Sequence, residues 1–312
     1  MQTEDLQVVL KVAECRSITA AATRLNMLTA TASAAIKRVE NALGVELFIR
    51  TTRQLRLSPA GERYIPQLEQ ALLMLDQARL QMRDDLDIVD GELRLSLSSD
   101  LGRNLVLPWL DEFTQSHPKV SLKLNISDSV IDFFRDSVDM ALRYDSPTDA
   151  NLYGFKICNV PGLLCASPEY LELQGTPEHP HDLPTHNGLF YQLHDIVNDV
   201  WTFTHGSQEY KIKMSGNRAS NDGDLVRRWC VSGQGLAVKS CLDMAQDLLA
   251  GNLVSVMTEF KPVQKELWLI CPSRQLLTPA TRLLRDMLKE KTRTILNKLT
   301  EQGFLDRSVT DM

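Results

Sequence analysis

Apolar residues at helical spacing dominate the first 43 residues, and each stripe ends at a recognisable stop. Leu6, Val9, Leu10 and Ala13 share one face of a helix that Thr3 is placed to cap. Ser17 is placed to cap a second helix, with Ile18, Ala21, Ala22 and Leu25 as its stripe, and Asn26-Met27 makes a tight break. A third helix carries Ala32, Ile36, Val39 and Leu43, and Gly44 stops it. The small residues Ala20, Ala21 and Ala22 let a neighbouring helix approach closely. This order predicts a helix-turn-helix, whose last helix is the one that enters a major groove. A three-helix bundle that binds another protein is the competing reading.

The outward residues of the third helix are Thr29, Thr31, Ser33, Ala34, Lys37 and Arg38. Short hydroxyl side chains near a helix start reach bases or phosphates, whereas Lys and Arg suit phosphates. Two short extended runs, 45–49 and 55–57, flank a basic tip and predict a wing carrying Arg50 and Arg53. Arg24 completes the set of residues assigned to double-stranded DNA. Ser58-Pro59 then starts a new helix, with Ser as cap and Pro in the first turn. Charge agrees with this division. Residues 1–66 hold nine Lys/Arg against six Asp/Glu, although the whole chain has a net charge of −6. A basic module on an acidic body fits a polyanion partner; on charge alone a solvated face fits equally well.

Several blocks in this region carry a specific resemblance. They are 17–26 (SITAAATRLN), 36–40 (IKRVE), 43–51 (LGVELFIRT) and 57–61 (LSPAG), in that order. Together they resemble the winged helix-turn-helix of LysR-type transcriptional regulators, and 50–53 with 61–64 resembles the branch often called CrgA-like. One block departs. The family usually opens its recognition helix with Ser-Gln-Pro/Ser-Ala, where this chain has Leu28-Thr29-Ala30-Thr31. Leu28 offers no cap or phosphate contact, so base preference there does not carry over.

From Ser58 to Leu86, Ile65, Leu68, Leu72, Leu75, Met82 and Leu86 follow a heptad period, with Arg79 in the remaining seam position. A helix this long has few neighbours inside a small N-terminal domain, so an intermolecular seam is expected. Residues 84–91 read as a polar hinge.

Beyond the hinge, Leu93, Leu95 and Leu97 alternate as a strand, and Ser98-Ser99-Asp100 lead into a helix with Leu105, Leu107, Leu110 and Phe113. A strand over 120–126, a short helix around 130–135 and a strand over 140–144 follow, which implies parallel pairing in an α/β layer. A second α/β unit begins near Leu163. The strand 266–271 and helix 279–298 are expected to return to the first. Two such lobes leave a cleft, a usual place for a small ligand. Family resemblance implies the same, a periplasmic-binding-protein-like effector domain.

The expected organisation is α/β: a winged helix-turn-helix at 1–61, a linker helix and hinge at 62–90, and a two-lobed effector domain at 91–312. Lobe I takes 91–161 and 266–300, and lobe II takes 162–265. Candidate effector residues are Ser98 and Ser99 with the helix start behind them, Asn221 and Asp222 on the opposite lobe, and Arg143 for a carboxylate. Gly233-Gln234-Gly235 reads as a helix-to-strand turn, since the order of a dinucleotide site is missing.

The expected function is a DNA-binding regulator governed by a small-molecule effector and working as a homodimer or homotetramer. The oligomer is what the family resemblance implies. Effector binding would shift lobe closure and the spacing of the paired DNA-binding domains. An enzyme is the second class, but no HExxH, GxSxG or P-loop motif occurs and no catalytic residue is assigned. No metal or cofactor is expected, because the six cysteines are scattered without a CxxC pair and His179, His181 and His186 lie in a Pro-rich loop. Cys230, following Arg227-Arg228-Trp229, is a candidate redox switch, as nearby guanidiniums lower a thiol pKa. The start is acidic and unlike a signal peptide, and no apolar run reaches the ~18 residues of a membrane span, so the expected location is cytoplasmic.

Overall fold

The computed structural model describes residues 2–50, 55–84, 89–129, 131, 133, 136, 138–147, 149, 152–193, 196–272 and 278–306, with no side-chain detail at Arg50, Leu73 and 76–84. The chain forms two compact units, Met1–Asp87 and Ile88–Met312.

In the first unit, α1 (Thr3–Cys15), α2 (Ile18–Arg24) and α3 (Thr29–Leu43) enclose a core of Val8, Val9, Val12, Ala21, Ala22, Ala32, Ala35, Ile36 and Val39. The sequence stripes are the buried faces. The Ser17 hydroxyl accepts from the Ala20 N–H at 3.3 Å, Asn26 takes φ +51° at the break, and Gly44 ends α3 at φ +68°. Thr3 is not the cap of α1. Gln2 holds that position, and Thr3 begins the helix.

Strands β1 (Phe48–Arg50) and β2 (Leu55–Leu57) pair antiparallel as the wing. Its approach to α3 is fixed by one carboxylate: Glu40 Oε1 accepts from the Leu47 N–H at 2.8 Å and the Phe48 N–H at 3.2 Å. Ser58 then caps α4 (Pro59–Asp84) by accepting from the Gly61 N–H at 3.0 Å while donating to the Glu46 carbonyl at 2.6 Å. A Cβ on Gly61 would lie 2.2 Å from the Leu47 carbonyl oxygen, so this turn admits only glycine.

The seam expected on α4 is corrected in its first half. Ile65, Leu68 and Leu72 are buried in the core of their own unit. The wing and α1 supply neighbours that helix length alone did not predict. Met74 (67% exposed) and Leu75 (51%) are not covered by their own unit. The side chains of Arg79 and Met82, and Leu86 itself, lie outside the described residues, as do 85–88 of the hinge.

In the second unit, β3 (Gly91–Leu97) is followed by a π-helical turn, Leu101–Val106, that runs into α5 (Leu107–Ser116). β4 (Val120–Ile126), β5 (Met140–Tyr144) and β6 (Tyr153–Val160) come next. The short helix expected around 130–135 falls largely outside the described residues. β7 (Gly162–Ala166) enters the second lobe, followed by α6 (Pro168–Gln174), a 3-10 turn at Pro180–Thr185, β8 (Leu189–Leu193) and β9 (Ile196–Val197). The hairpin β10 (Val200–His205) and β11 (Gln208–Lys213) leads to β12 (Arg218–Ser220), α7 (Gly223–Val231), β13 (Ala237–Ser240) and α8 (Cys241–Ala250). β14 (Val254–Val256), β15 (Lys261–Pro262), β16 (Lys265–Cys271) and α9 (Pro279–Glu301) close the chain.

The large sheet of lobe I has the order β4-β3-β5-β16-β6. β3 pairs parallel with β4 and β5, while β16 inserts antiparallel between β5 and β6. α9 packs against β6 of the same sheet. Lobe II holds three small three-stranded sheets rather than one layer, around Leu164, Leu183, Phe190, Trp201, Phe203 and Leu236. The main core runs from the Leu95–Leu97 face of β3 to Val226, Cys230, Leu242 and Leu248 of α7 and α8, so apolar burial joins the two lobes. Each fully buried leucine there contributes about 1.5–3 kcal/mol.

Candidate nucleic-acid interface and ligand cleft

The register of α3 decides which side chains are offered outward. With Ala32, Ala35, Ile36 and Val39 inward, Thr29, Thr31, Ala34, Lys37 and Arg38 are exposed and Ser33 is half-buried. Arg24 is exposed at the end of α2. Leu28 sits at the α3 cap position, 76% exposed, and its side chain makes no cap. The departing block therefore leaves the helix start without the polar side chain that caps prefer. Arg50 lies in β1, but its side chain, and all of Arg53, fall outside the described residues.

Arg38 differs from its neighbours. Its Nε and Nη2 donate to both oxygens of Asp5 on α1, at 3.0 and 2.5 Å, and Asp5 is buried. The hydrogen bond from Arg38 holds the Asp5 carboxyl below its ordinary range, and Asp5 raises Arg38 in return. Arg38 is thus first a clamp between α1 and α3, leaving Lys37 as the cation on α3 not engaged by a carboxylate among the described residues.

The boundary between the lobes lies where β3 and the π-helical turn of lobe I are bonded to α7 and β13 of lobe II. Ser99 is buried, and both its N–H and its hydroxyl donate to Asp128, each at 2.6 Å. Ser98 Oγ is buried without a hydrogen-bond partner among the described residues. Arg143 donates to Ser96 Oγ at 2.8 Å and to the carbonyls of Ser127 at 2.9 Å and Leu142 at 3.0 Å. Burial lowers it to about 10, against the opposing pull of Asp128. Asn221 is exposed. The Asp222 carboxylate caps α7 through the Leu225 N–H at 3.1 Å and pairs with Arg103 at 2.8 Å. The glycine pair is a turn, Gly233 at φ +73° and Gly235 at φ +156°, joining α7 to β13.

Sequence reading missed the groups that tie the lobes. Lys239 on β13 is buried against Asp100 and lies 3.7 Å from Asp243, while also donating to the Gly223 carbonyl at 3.0 Å. Burial alone pushes Lys239 down, but the Asp100 and Asp243 carboxylates carry it above its ordinary value. Tyr144 from lobe I donates to Asp243 at 2.6 Å and lies 2.7 Å from the Ser240 hydroxyl. Burial, with the Asp100 charge beside it, pushes Asp243 up to about 7. Tyr191 of β8 lies at the same boundary, its hydroxyl 3.5 Å from the Asp128 carbonyl, and burial pushes it up to about 12. The signal available in sequence was only a lysine beside Ala237 and Val238 in a short strand.

The redox reading of Cys230 fails. Its thiol is fully buried and donates to the Cys165 carbonyl at 3.3 Å. Burial pushes it up to about 12, away from the thiolate. The neighbouring guanidiniums are engaged elsewhere, Arg227 with Asp247 at 3.0 Å and Arg228 with Asp224 at 2.9 Å. No group of three metal-ligating side chains occurs among the described residues, and no described helix is long and apolar enough to cross a membrane.

Residues 3–62 match the family model for the bacterial regulatory helix-turn-helix protein of the lysR family, and residues 87–293 match that for the LysR substrate binding domain. The chain is 30% identical over 287 residues to the HTH-type transcriptional regulator DmlR of Escherichia coli K12, covering 92% of this chain and 93% of that one. It is 30% identical over 256 residues to the transcriptional regulator CrgA of Neisseria meningitidis, covering 82% and 85%. The solved structure of CrgA, a LysR-type transcriptional regulator from Neisseria meningitidis, superposes with a TM-score of 0.60 at 27% identity, covering 93% of this chain and 99% of that one. The full-length Vibrio cholerae virulence activator AphB shares the fold, with a TM-score of 0.56 at 24% identity over 92% and 98%.

Proposed function

The chain belongs to the LysR family of transcriptional regulators, with its DNA-binding and effector-binding domains, and from that premise we propose how its own residues divide the work. α3 lies in the major groove of double-stranded DNA. Thr29, Thr31, Ser33 and Ala34 face base edges, and Lys37 and Arg24 meet phosphates, with Arg50 and Arg53 of the wing on the backbone. Arg38 acts mainly by fixing α3 on α1, with its outer edge alone left for a phosphate. Ala34 offers a methyl to a thymine methyl, and the threonines offer short hydroxyls. Leu28 replaces a polar contact with an apolar one, so the preferred site differs from those of relatives at that position.

The observation that carries this reading is the α3 face itself: short polar side chains and Lys37 exposed together on a helix whose other face is locked in the core. Copies of the chain pair through the 62–90 segment beyond Leu72, where Met74 and Leu75 lie uncovered by their own unit. The effector occupies the cleft between the lobes, touching Ser98, Ser99, Arg143 and Asn221, and shifts the balance between lobe arrangements. The protein is a cytoplasmic regulator rather than an enzyme; relatives named as transcriptional regulators support this.

Genome-wide occupancy followed by a gel shift on the best site tests the DNA reading. Specific binding by the wild type, weakened in Lys37→Ala without loss of fold, is expected. Absence of any preferred site in the wild-type protein would overturn it.

A further inference from the structure

Asp128 follows β4 at the edge of the cleft, and its carboxylate is held from both lobes. From lobe I, the Ser99 N–H donates to Oδ1 and the Ser99 hydroxyl to Oδ2, both at 2.6 Å. From lobe II, the N–H of Gly223, in the first turn of α7, donates to Oδ2 at 2.8 Å. A serine hydroxyl, a buried N–H and a helix-start N–H make a cradle for a carboxylate. A Cβ on Gly223 would lie 2.8 Å from Asp100 Oδ2, so a larger residue there requires that buried carboxylate to shift.

Two further observations point beyond a purely structural tie. Arg143 spends its hydrogen bonds on neutral acceptors, one of them the carbonyl of Ser127 next to Asp128. Among the described residues it has no carboxylate at ion-pair distance. Ser98, beside Ser99, keeps a buried hydroxyl with no partner among the described residues. A half-buried cation normally finds an anion, and a buried hydroxyl normally finds a partner. The Ser98 hydroxyl lies unmatched, and the carboxylate whose charge acts on Arg143 is Asp128 itself, the anion that fills the cradle.

We propose that Asp128 is an internal stand-in for the carboxylate of the effector. In the effector-free chain it fills the Ser99–Gly223 cradle; a small carboxylate ligand displaces it, with Arg143 and Ser98 available to its remaining polar atoms. This rests on the reading that an effector binds between the lobes. The exchange supplies the control. While Asp128 is seated, lobe I holds the start of α7 through a covalently tethered anion; when a ligand is seated, that tie passes through the ligand and Asp128 is released. The tethered carboxylate also competes at high effective concentration, so the apparent affinity for ligand falls by the fraction of time the cradle is occupied.

The test uses the full chain as wild type, Asp128→Ala, Asp128→Asn and the double variant Asp128→Ala/Ser99→Ala. Each is titrated with sodium acetate by calorimetry and thermal midpoint, against sodium chloride at matched ionic strength. Asp128→Ala is expected to bind acetate at least tenfold more tightly than wild type, and the double variant to lose that gain. Asp128→Asn keeps the shape and loses the charge; it gives a smaller gain and serves if the alanine variant does not fold. Equal acetate affinity in wild type and both single variants overturns the proposal, as does a gain that survives Ser99→Ala. DNA affinity measured on the same samples separates the two readings. An acetate gain that leaves DNA affinity unchanged keeps the cradle and overturns effector control from this cleft. No acetate gain, with occupancy in cells still responding to growth conditions, overturns the stand-in alone.

Discussion

The outward face of α3 and the cleft of the second unit both set hydroxyls beside cations, yet they are built on opposite principles. On α3 the functional side chains are what helical periodicity leaves over once Ala32, Ala35, Ile36 and Val39 are buried. In the cleft the chain has answered most of its own charges: Lys239 with Asp100, Arg103 with Asp222, Arg228 with Asp224. A surface made by periodicity stays open to a partner. A polar interior must be satisfied internally before any ligand arrives, since an unpaired buried charge costs several kcal/mol. Binding there means exchange of partners, whereas binding on α3 means addition.

This contrast breaks most readily at the two lysines. Lys239→Met leaves Asp100 and Asp243 buried without their shared cation and should cost about 3–5 kcal/mol in urea unfolding. Lys37→Met on the open face should stay within about 0.5 kcal/mol. Equal costs would mean that the two regions are not built differently.

Arg38 sharpens the comparison, because it belongs to the open face by position and to the internally paired class by contact. Arg38→Ala should lower the thermal midpoint of the N-terminal unit as well as DNA affinity, since Asp5 loses its partner. Lys37→Ala should lower DNA affinity alone. A smaller effect is expected from pH. The folded-state pKa of Asp243 is raised from 3.8 to about 7, so the folded chain holds a proton there that the unfolded chain releases. Stability therefore declines as pH rises across that window, and Asp243→Asn should flatten the decline in thermal midpoints taken from pH 4.5 to 7.5. Asp100 is held low by Lys239 against the push of burial and acts in the opposite sense, losing its contribution only at still lower pH. Smallest of all, peroxide treatment should change DNA affinity equally in wild type and Cys230→Ser, because the thiol is buried and held protonated.

The same contrast explains what the sequence made legible. Ser17, Gly44 and Ser58-Pro59 act within a few residues of themselves, so their roles were readable from spacing, and the stripes of α1 to α3 followed. The return of β16 and α9 to lobe I was readable from alternation and strand-helix order. Arg38 with Asp5, Asp128 with Gly223 and Lys239 with Asp100 join residues 33, 95 and 139 positions apart, and nothing local marks them as partners. The same limit applied to α4, where burial of Ile65, Leu68 and Leu72 depends on the tertiary position of α1 and the wing. Cys230 failed for a related reason: proximity to arginines in sequence said nothing of Asp224 and Asp247, which claim them.

The exposed, unengaged cations Arg24 and Lys37 of α2 and α3 are expected to meet DNA phosphates. Fluorescence anisotropy of the full chain on its best chromosomal site, across a salt series, tests it most directly. A linear fall in the logarithm of affinity with the logarithm of salt is expected. For a pair of chains on the site, Arg24→Ala/Lys37→Ala removes two contacts from each copy, and the slope should become shallower by about 3.6, at roughly 0.9 per lost phosphate contact. A slope that the double substitution leaves unchanged would contradict it.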